Sequence, residues 1–237
     1  MALRASFAPY RLGGHTTVGF GFQISAHAGQ VPPALTGVSI RYPEELGFVL
    51  SGLGIVTCAP PELEGEATGE CPANSIMGRG SALAELRFGS ELVTESARIS
   101  IARAPNEDGH IALLVYALGP RPVNTQVLSP AQLLPASPPF GGQLSIQLPI
   151  VPSVPGAPDV AVARMEVTLG PQGLTYYEQL DGQTLAYTPR GILLPKTCPR
   201  GGFRFAATFT FIEGSQANAA ATIPCPRGRA RRRTART

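Results

Sequence analysis

Apolar and polar positions alternate along most of the chain. Val18, Phe20, Phe22 and Ile24 share one face of HTTVGFGFQIS, and Val38, Ile40 and Tyr42 share one face of GVSIRYP. A period of two places successive side chains on opposite sides of an extended backbone, so each stretch predicts a half-buried strand. Ala82, Ala84, Leu86 and Phe88 repeat the pattern, and Val93, Ala97, Ile99 and Ile101 carry it through a long strand ending near Arg103. Asp108-Gly109 in the following APNEDGH predicts a tight hairpin, because Gly takes the positive φ such turns need. The returning IALLVYAL is apolar on both faces, which predicts a central strand. Further strands are expected from Val123 to Leu128, at LSIQL, from Ala161 to Leu169, and around Tyr176 and Tyr187 on either side of Asp181-Gly182. The clearest alternation comes last: Phe203, Phe205, Ala207, Phe209 and Phe211 face one way, and Ala217, Ala219, Ala221 and Ile223 offer small side chains opposite, beyond a turn at Glu213-Gly214-Ser215. Only AQLLP, near residue 131, suggests a helical turn.

About a dozen strands without intervening helices predict an all-β, antiparallel, jelly-roll-like β-sandwich. Composition agrees. The chain has 24 Pro and 27 Gly in 237 residues. Pro removes a helix donor and clashes with the preceding turn, so long helices are excluded. No apolar run approaches the ~18 residues that a membrane-spanning helix requires. Residues 1–226 read as a single or closely fused double sandwich, with a possible sub-boundary in PIVPSVPGAP near 150–158, where Pro interrupts any ladder.

Charge divides the chain unevenly. Arg227, Arg229, Arg231, Arg232, Arg233 and Arg236 crowd the C-terminus, and without these six the chain holds 13 basic against 16 acidic side chains. The body is therefore mildly acidic, and attraction to acidic polymers is confined to the tail, residues 227–237, which lacks the apolar groups needed to pack. Four cysteines, Cys58, Cys71, Cys198 and Cys225, form no CxxC pair that would seed a zinc site. Their spacing favours sequential disulfides, 58 with 71 and 198 with 225, over free buried thiols. Disulfides persist in oxidising compartments, so an extracellular or cell-envelope location is expected. The opening MALRASFAPYRLGG has no apolar stretch of seven or more residues to act as a signal, and Leu3 to Phe7 already reads as a strand. The expectation is that an export signal precedes Met1, either removed or upstream of the assigned start.

The stretch from Leu53-Gly54 through Cys58, Cys71, Pro72, Ser75, Gly78, Gly80 and Ala82 resembles a module of uncharacterised exported β-proteins of actinobacteria. The C-terminal YTPRGILLPKTCPRGGFRFAATFTFIEG with its closing IPCP resembles their last hairpin. Together these cover about a third of the chain, and the resemblance implies export, disulfides and a β-fold, without a reaction. Read from the residues, Pro72 cannot donate to a ladder, and Gly78 and Gly80 suit a bulge or a close backbone approach. GRGSA is no phosphate cradle, because ALAELRF continues as a strand where a helix would be needed.

Catalytic chemistry finds little to build on. His15, His27 and His110 stand alone, and there is no HExxH or Gly-x-Ser-x-Gly. Glu62, Glu64, Glu66 and Glu70 form an acidic cluster between Cys58 and Cys71, without the Asp-x-Asp spacing of a calcium loop. The chain has no Trp, and the adjacent Tyr176 and Tyr177 are expected to place one ring in the core. No catalytic residue, metal or cofactor is expected. The favoured reading is a non-enzymatic structural or adhesive component of the cell envelope that contacts a cell-wall polymer or glycan. A carbohydrate-binding or carbohydrate-processing sandwich is the alternative, and a capsid-like jelly roll with a nucleic-acid-binding tail the third.

Overall fold

The computed structural model describes residues 1–26, 30–44, 46–48, 56–59, 71–88, 90–119, 126–151, 159–170, 175–180, 182–188 and 191–226. The strands are β1 (Ala2–Ala8), β2 (His15–Gln23), β3 (Leu35–Pro43), β4 (Gly47–Phe48), β5 (Ile76–Phe88), β6 (Glu91–Glu107), β7 (His110–Leu118), β8 (Gln126–Leu134), β9 (Phe140–Gln147), β10 (Ala161–Leu169), β11 (Tyr176–Leu180), β12 (Gln183–Tyr187), β13 (Ile192–Leu193), β14 (Phe203–Phe211) and β15 (Gln216–Ile223). All pairings are antiparallel. Among the described residues the only helical element is a short 3-10 turn at Ala73–Ser75.

The protein is all-β, but its strands do not split into two packed sheets. Thirteen of them form one sheet in the order β15-β14-β3-β9-β8-β7-β6-β5-β10-β2-β13-β4, with β1 on the same edge of β2 as β13. This sheet curls until β1 lies beside β15, where Tyr10 Oη donates to the Pro224 carbonyl at 2.8 Å. The result is a nearly closed barrel rather than the expected sandwich. Period-2 alternation asks only that each strand bury one face, and a barrel interior satisfies it as well as a sandwich core. Three long-range pairings decide between them: β3 with β14, β10 with β2 and β10 with β5. Strands from both sides of residue 150 belong to this one sheet, and residues 152–158 lie outside the described residues.

The interior is packed with the phenylalanines of the alternating strands. Phe203, Phe205 and Phe209 of β14 are fully buried. They meet β1 and β2 edge-on or tilted, Phe7 with Phe203 at 5.1 Å, Phe20 with Phe205 at 5.3 Å and Phe22 with Phe209 at 5.0 Å. On the far side of β14 the register sets Phe205 against Ala221 and Phe209 against Ala217, large beside small, which lets the rings fill their layer. AQLLP is strand, not helix: it ends β8, whose ladder with β9 begins at Ala131, just past the Pro that has no N–H to give. The Asp108-Gly109 turn takes positive φ at both residues, 50° and 76°.

The outer faces carry polar side chains such as Ser39, Gln143, Thr208 and Arg164. This is the reverse of a membrane barrel, which turns its apolar band outward to lipid. No helix among the described residues is long and apolar enough to cross a membrane. One patch of the outer face is apolar. Ala102 and Ala104 of β6 and Ala112 and Leu114 of β7 form a second core with Cys58, and Cys71 packs against it. That patch explains why IALLVYAL is apolar on both faces, one turned to the barrel interior and one to the Cys58–Cys71 pair.

Candidate functional site

Cys58 is bonded to Cys71 and Cys198 to Cys225, with Cα separations of 5.2 and 5.7 Å. The first bridge sits on the β6–β7 outer patch, held by the Cys58 N–H donating to the Arg103 carbonyl at 2.7 Å. The second joins the chain leading into β14 to the chain leaving β15, at the open end of the last hairpin. Both roles are structural. Gly78 and Gly80 are punctuation of the predicted kind: the β5–β6 register slips between Ile76 and Gly78, and a methyl on Gly80 would lie 2.7 Å from the Val167 Cα of β10. GRGSA runs inside β5.

The remaining sequence candidates do not converge. His15 opens β2 and pairs with Leu193, while its Nδ1 is buried without a hydrogen-bond partner among the described residues. His110 opens β7. Among the described residues no three His, Cys, Asp or Glu side chains cluster to hold a metal ion. His27, the four glutamates Glu62, Glu64, Glu66 and Glu70, and the Arg tail from 227 lie outside the described residues. The tyrosine pair belongs to a separate two-stranded hairpin, β11–β12, in which Tyr177 is 67% exposed. A shallow polar trough also crosses β14, β3 and β9, lined by residues such as Thr36, Ser39, Gln143, Ser145 and Thr208, with no aromatic platform among its lining residues.

The feature with chemistry in it is inside the barrel. A cavity of about 120 Å³ lies at the end where β6 begins and β7 and β9 finish. One wall carries small side chains, Ala82 and Ala84 of β5, Ala97 of β6, Ala117 of β7 and Ser129 of β8. The facing wall carries Phe22, Leu35, Val38, Ile146 and Met165. A barrel of this many strands is wide, and where one wall carries several alanines and a serine the opposite wall does not reach across, so space remains. The other end is filled: only about 40 Å³ remains among Phe20, Ile40, Leu144 and Ile192. Across the cavity end the β9–β10 connection is pinned where the Val160 N–H donates to the Val151 carbonyl at 2.9 Å.

Two polar side chains interrupt the apolar lining, Ser129, 2% exposed, and Glu95, 9% exposed. Glu95 Oε1 is buried and has no hydrogen-bond partner among the described residues. Glu95 stands in β6 at the inward position between Val93 and Ala97, and it pairs in register with Ala84 of β5. Reading the apolar face of this strand as Val93, Ala97, Ile99 and Ile101 passes over it. The signal was a charged residue on the buried parity of a strand, a place where acidic side chains are almost never fully buried unless paired. Comparison of the chain with family models, with curated proteins and with solved structures finds no match.

Proposed function

We propose that this chain is an exported, non-enzymatic binding protein that takes a small, largely apolar molecule into its barrel. The observation that carries the reading is the cavity of about 120 Å³ enclosed by apolar side chains. A dry cavity of about 150 Å³ lined by Leu, Ile and Phe accommodates benzene, so this space suits a ligand of roughly one ring. Export is supported by the two disulfides, which an oxidising compartment preserves. The test is thermal denaturation with toluene or indole at saturating concentration. Binding to the folded state alone stabilises by about 2.7 kcal/mol at a hundredfold excess over Kd. A rise of several degrees in Tm with each probe is expected. An unchanged Tm, with no shift in the methyl resonances of Ala97 and Ala117, removes the reading.

A second reading, adhesion within the cell envelope through a wall polymer or glycan, is favoured by the β11–β12 hairpin, where Tyr177 and Leu185 are 67% and 45% exposed. Exposed aromatic surface beside a polar face is suited to sugar rings and to partner proteins. Tyr177→Ala with Leu185→Ala abolishes sedimentation with purified cell walls if the hairpin is the contact. The Arg-rich tail stands apart from both readings, and deleting residues 227–237 removes salt-sensitive binding to anionic polymers if it has such a role.

A further inference from the structure

Glu95 has a buried acceptor, Oε1, without a hydrogen-bond partner among the described residues. Its register partner is Ala84 and its neighbours along the inward face of β6 are Val93 and Ala97, so an apolar residue would pack in its place without loss. A buried carboxyl oxygen with no donor is destabilising relative to a satisfied one. Charged groups kept against such a cost concentrate at functional positions, where local rules of folding give way to chemistry. The only other polar side chain among the residues lining the cavity, Ser129, lies on β8, with β7 between the two strands.

We infer that the cavity selects an apolar amine, with its hydrocarbon part against Ala97, Ala117 and Ile146 and its ammonium group donating to Glu95 Oε1. The inference rests on the binding reading above and adds the chemical class of the ligand. A carboxylate only accepts hydrogen bonds, so the ligand must bring a donor. An ammonium group makes the bond charge-assisted and about twice as strong as one from a neutral donor. An anionic amphiphile such as a fatty acid is disfavoured, because it would set two carboxylates together in an apolar space. The volume limits the hydrocarbon part to about one ring or a short chain.

The experiment compares benzylamine with toluene, which matches it in ring and lacks the nitrogen, by NMR titration of the full chain. For the wild type, benzylamine is expected to bind at least tenfold more tightly than toluene. Glu95→Gln, which keeps the shape and removes the charge, is expected to weaken benzylamine by about 10- to 100-fold and to leave toluene unchanged, the range set by a hydrogen bond to a charged group. Equal affinities for the two probes in the wild type overturn the amine selectivity while leaving the cavity as an apolar site. The wild-type comparison needs no variant, so it stands even if Glu95→Gln perturbs folding. If neither probe binds the wild type, the binding reading fails and the selectivity falls with it.

Discussion

The barrel closes across a seam that has no backbone ladder, and the seam is its most informative place to perturb. β1 pairs with β2 on one side and lies beside β15 on the other, and among the described residues no strand pairing joins β1 to β15. Side chains hold it instead: Phe7 contacts Phe203 at 5.1 Å, Phe205 at 6.0 Å and Tyr10 at 5.4 Å. Phe7 is 7% exposed, so Phe7→Ala removes a nearly complete burial. Deleting a buried Phe side chain costs about 3–5 kcal/mol, to which lost edge-on ring contacts contribute about 0.5–1.5 kcal/mol each. For a chain of this size each kcal/mol lowers Tm by about 2–4 °C, so a drop of about 6–20 °C is expected. Leu113→Ala provides the control, since Leu113 is also buried but stands in β7, in the middle of the sheet and away from the seam. Calorimetry measures the two losses, which should be similar, and amide hydrogen exchange separates them. In Phe7→Ala the amides of β1 and β15 exchange faster than those of β7 and β8, because the seam opens locally below the global barrier. Uniform acceleration over all strands, or a loss of stability under about 1 kcal/mol, refutes the view that rings rather than backbone close the barrel.

Replacing Cys198 and Cys225 together with Ser releases a 27-residue loop and is expected to cost about 3–4 kcal/mol in urea unfolding under non-reducing conditions. The Cys58 and Cys71 pair, closing a 13-residue loop, should cost about 3 kcal/mol and should selectively unprotect the amides around Ala102 and Leu114, whose outer faces it covers. Gly80→Ala drives a methyl into the Glu166 carbonyl and the Val167 Cα, so a loss of about 1–3 kcal/mol is expected from the same unfolding curves, and a neutral result removes the close-approach argument. Ala97→Val fills part of the cavity and should raise Tm slightly while weakening toluene binding. Burial raises the Tyr42 phenol above its ordinary value of 10.0. Its contribution is therefore fully present below pH 10 and is lost as pH climbs, because the unfolded chain ionises first; Tyr42→Phe should flatten the fall in stability above pH 10.

Most of the strands could be read from the sequence because their determinants are local. The β14–β15 hairpin is set by alternation and by a turn whose Gly214 takes a φ of 81°, both visible in FRFAATFTFIEGSQANAAATI. The Cys pairings were legible for the same reason, since each bridge closes a single local loop. The barrel was not legible. Whether a set of half-buried strands becomes a sandwich or a barrel depends on which edge of β10 meets β2 and which edge of β3 meets β14, pairings between segments more than a hundred residues apart that leave no trace in either segment alone.

The site was half legible, and the half that was missed is the more telling. A cavity is a sum over many strands: Ala84, Ala97 and Ala117 are unremarkable singly, and only their meeting on one wall leaves room. Glu95, by contrast, is a local anomaly. In VTESARISI every second residue from Val93 points inward, and one of those inward residues carries a carboxyl. Alternation collects the residues that fit a face; the residue that breaks it calls for a reason other than packing, because a strand is not stabilised by a buried carboxyl oxygen without a donor. The same logic orders the other breaks in this chain. Gly80, on the inward face of β5, is explained in full by the backbone of β10, and Ser129, on that of β8, asks little of its surroundings because a hydroxyl is small and neutral. Glu95 alone among the three has a buried oxygen, Oε1, without a hydrogen-bond partner among the described residues, and that is why the ligand is inferred from it.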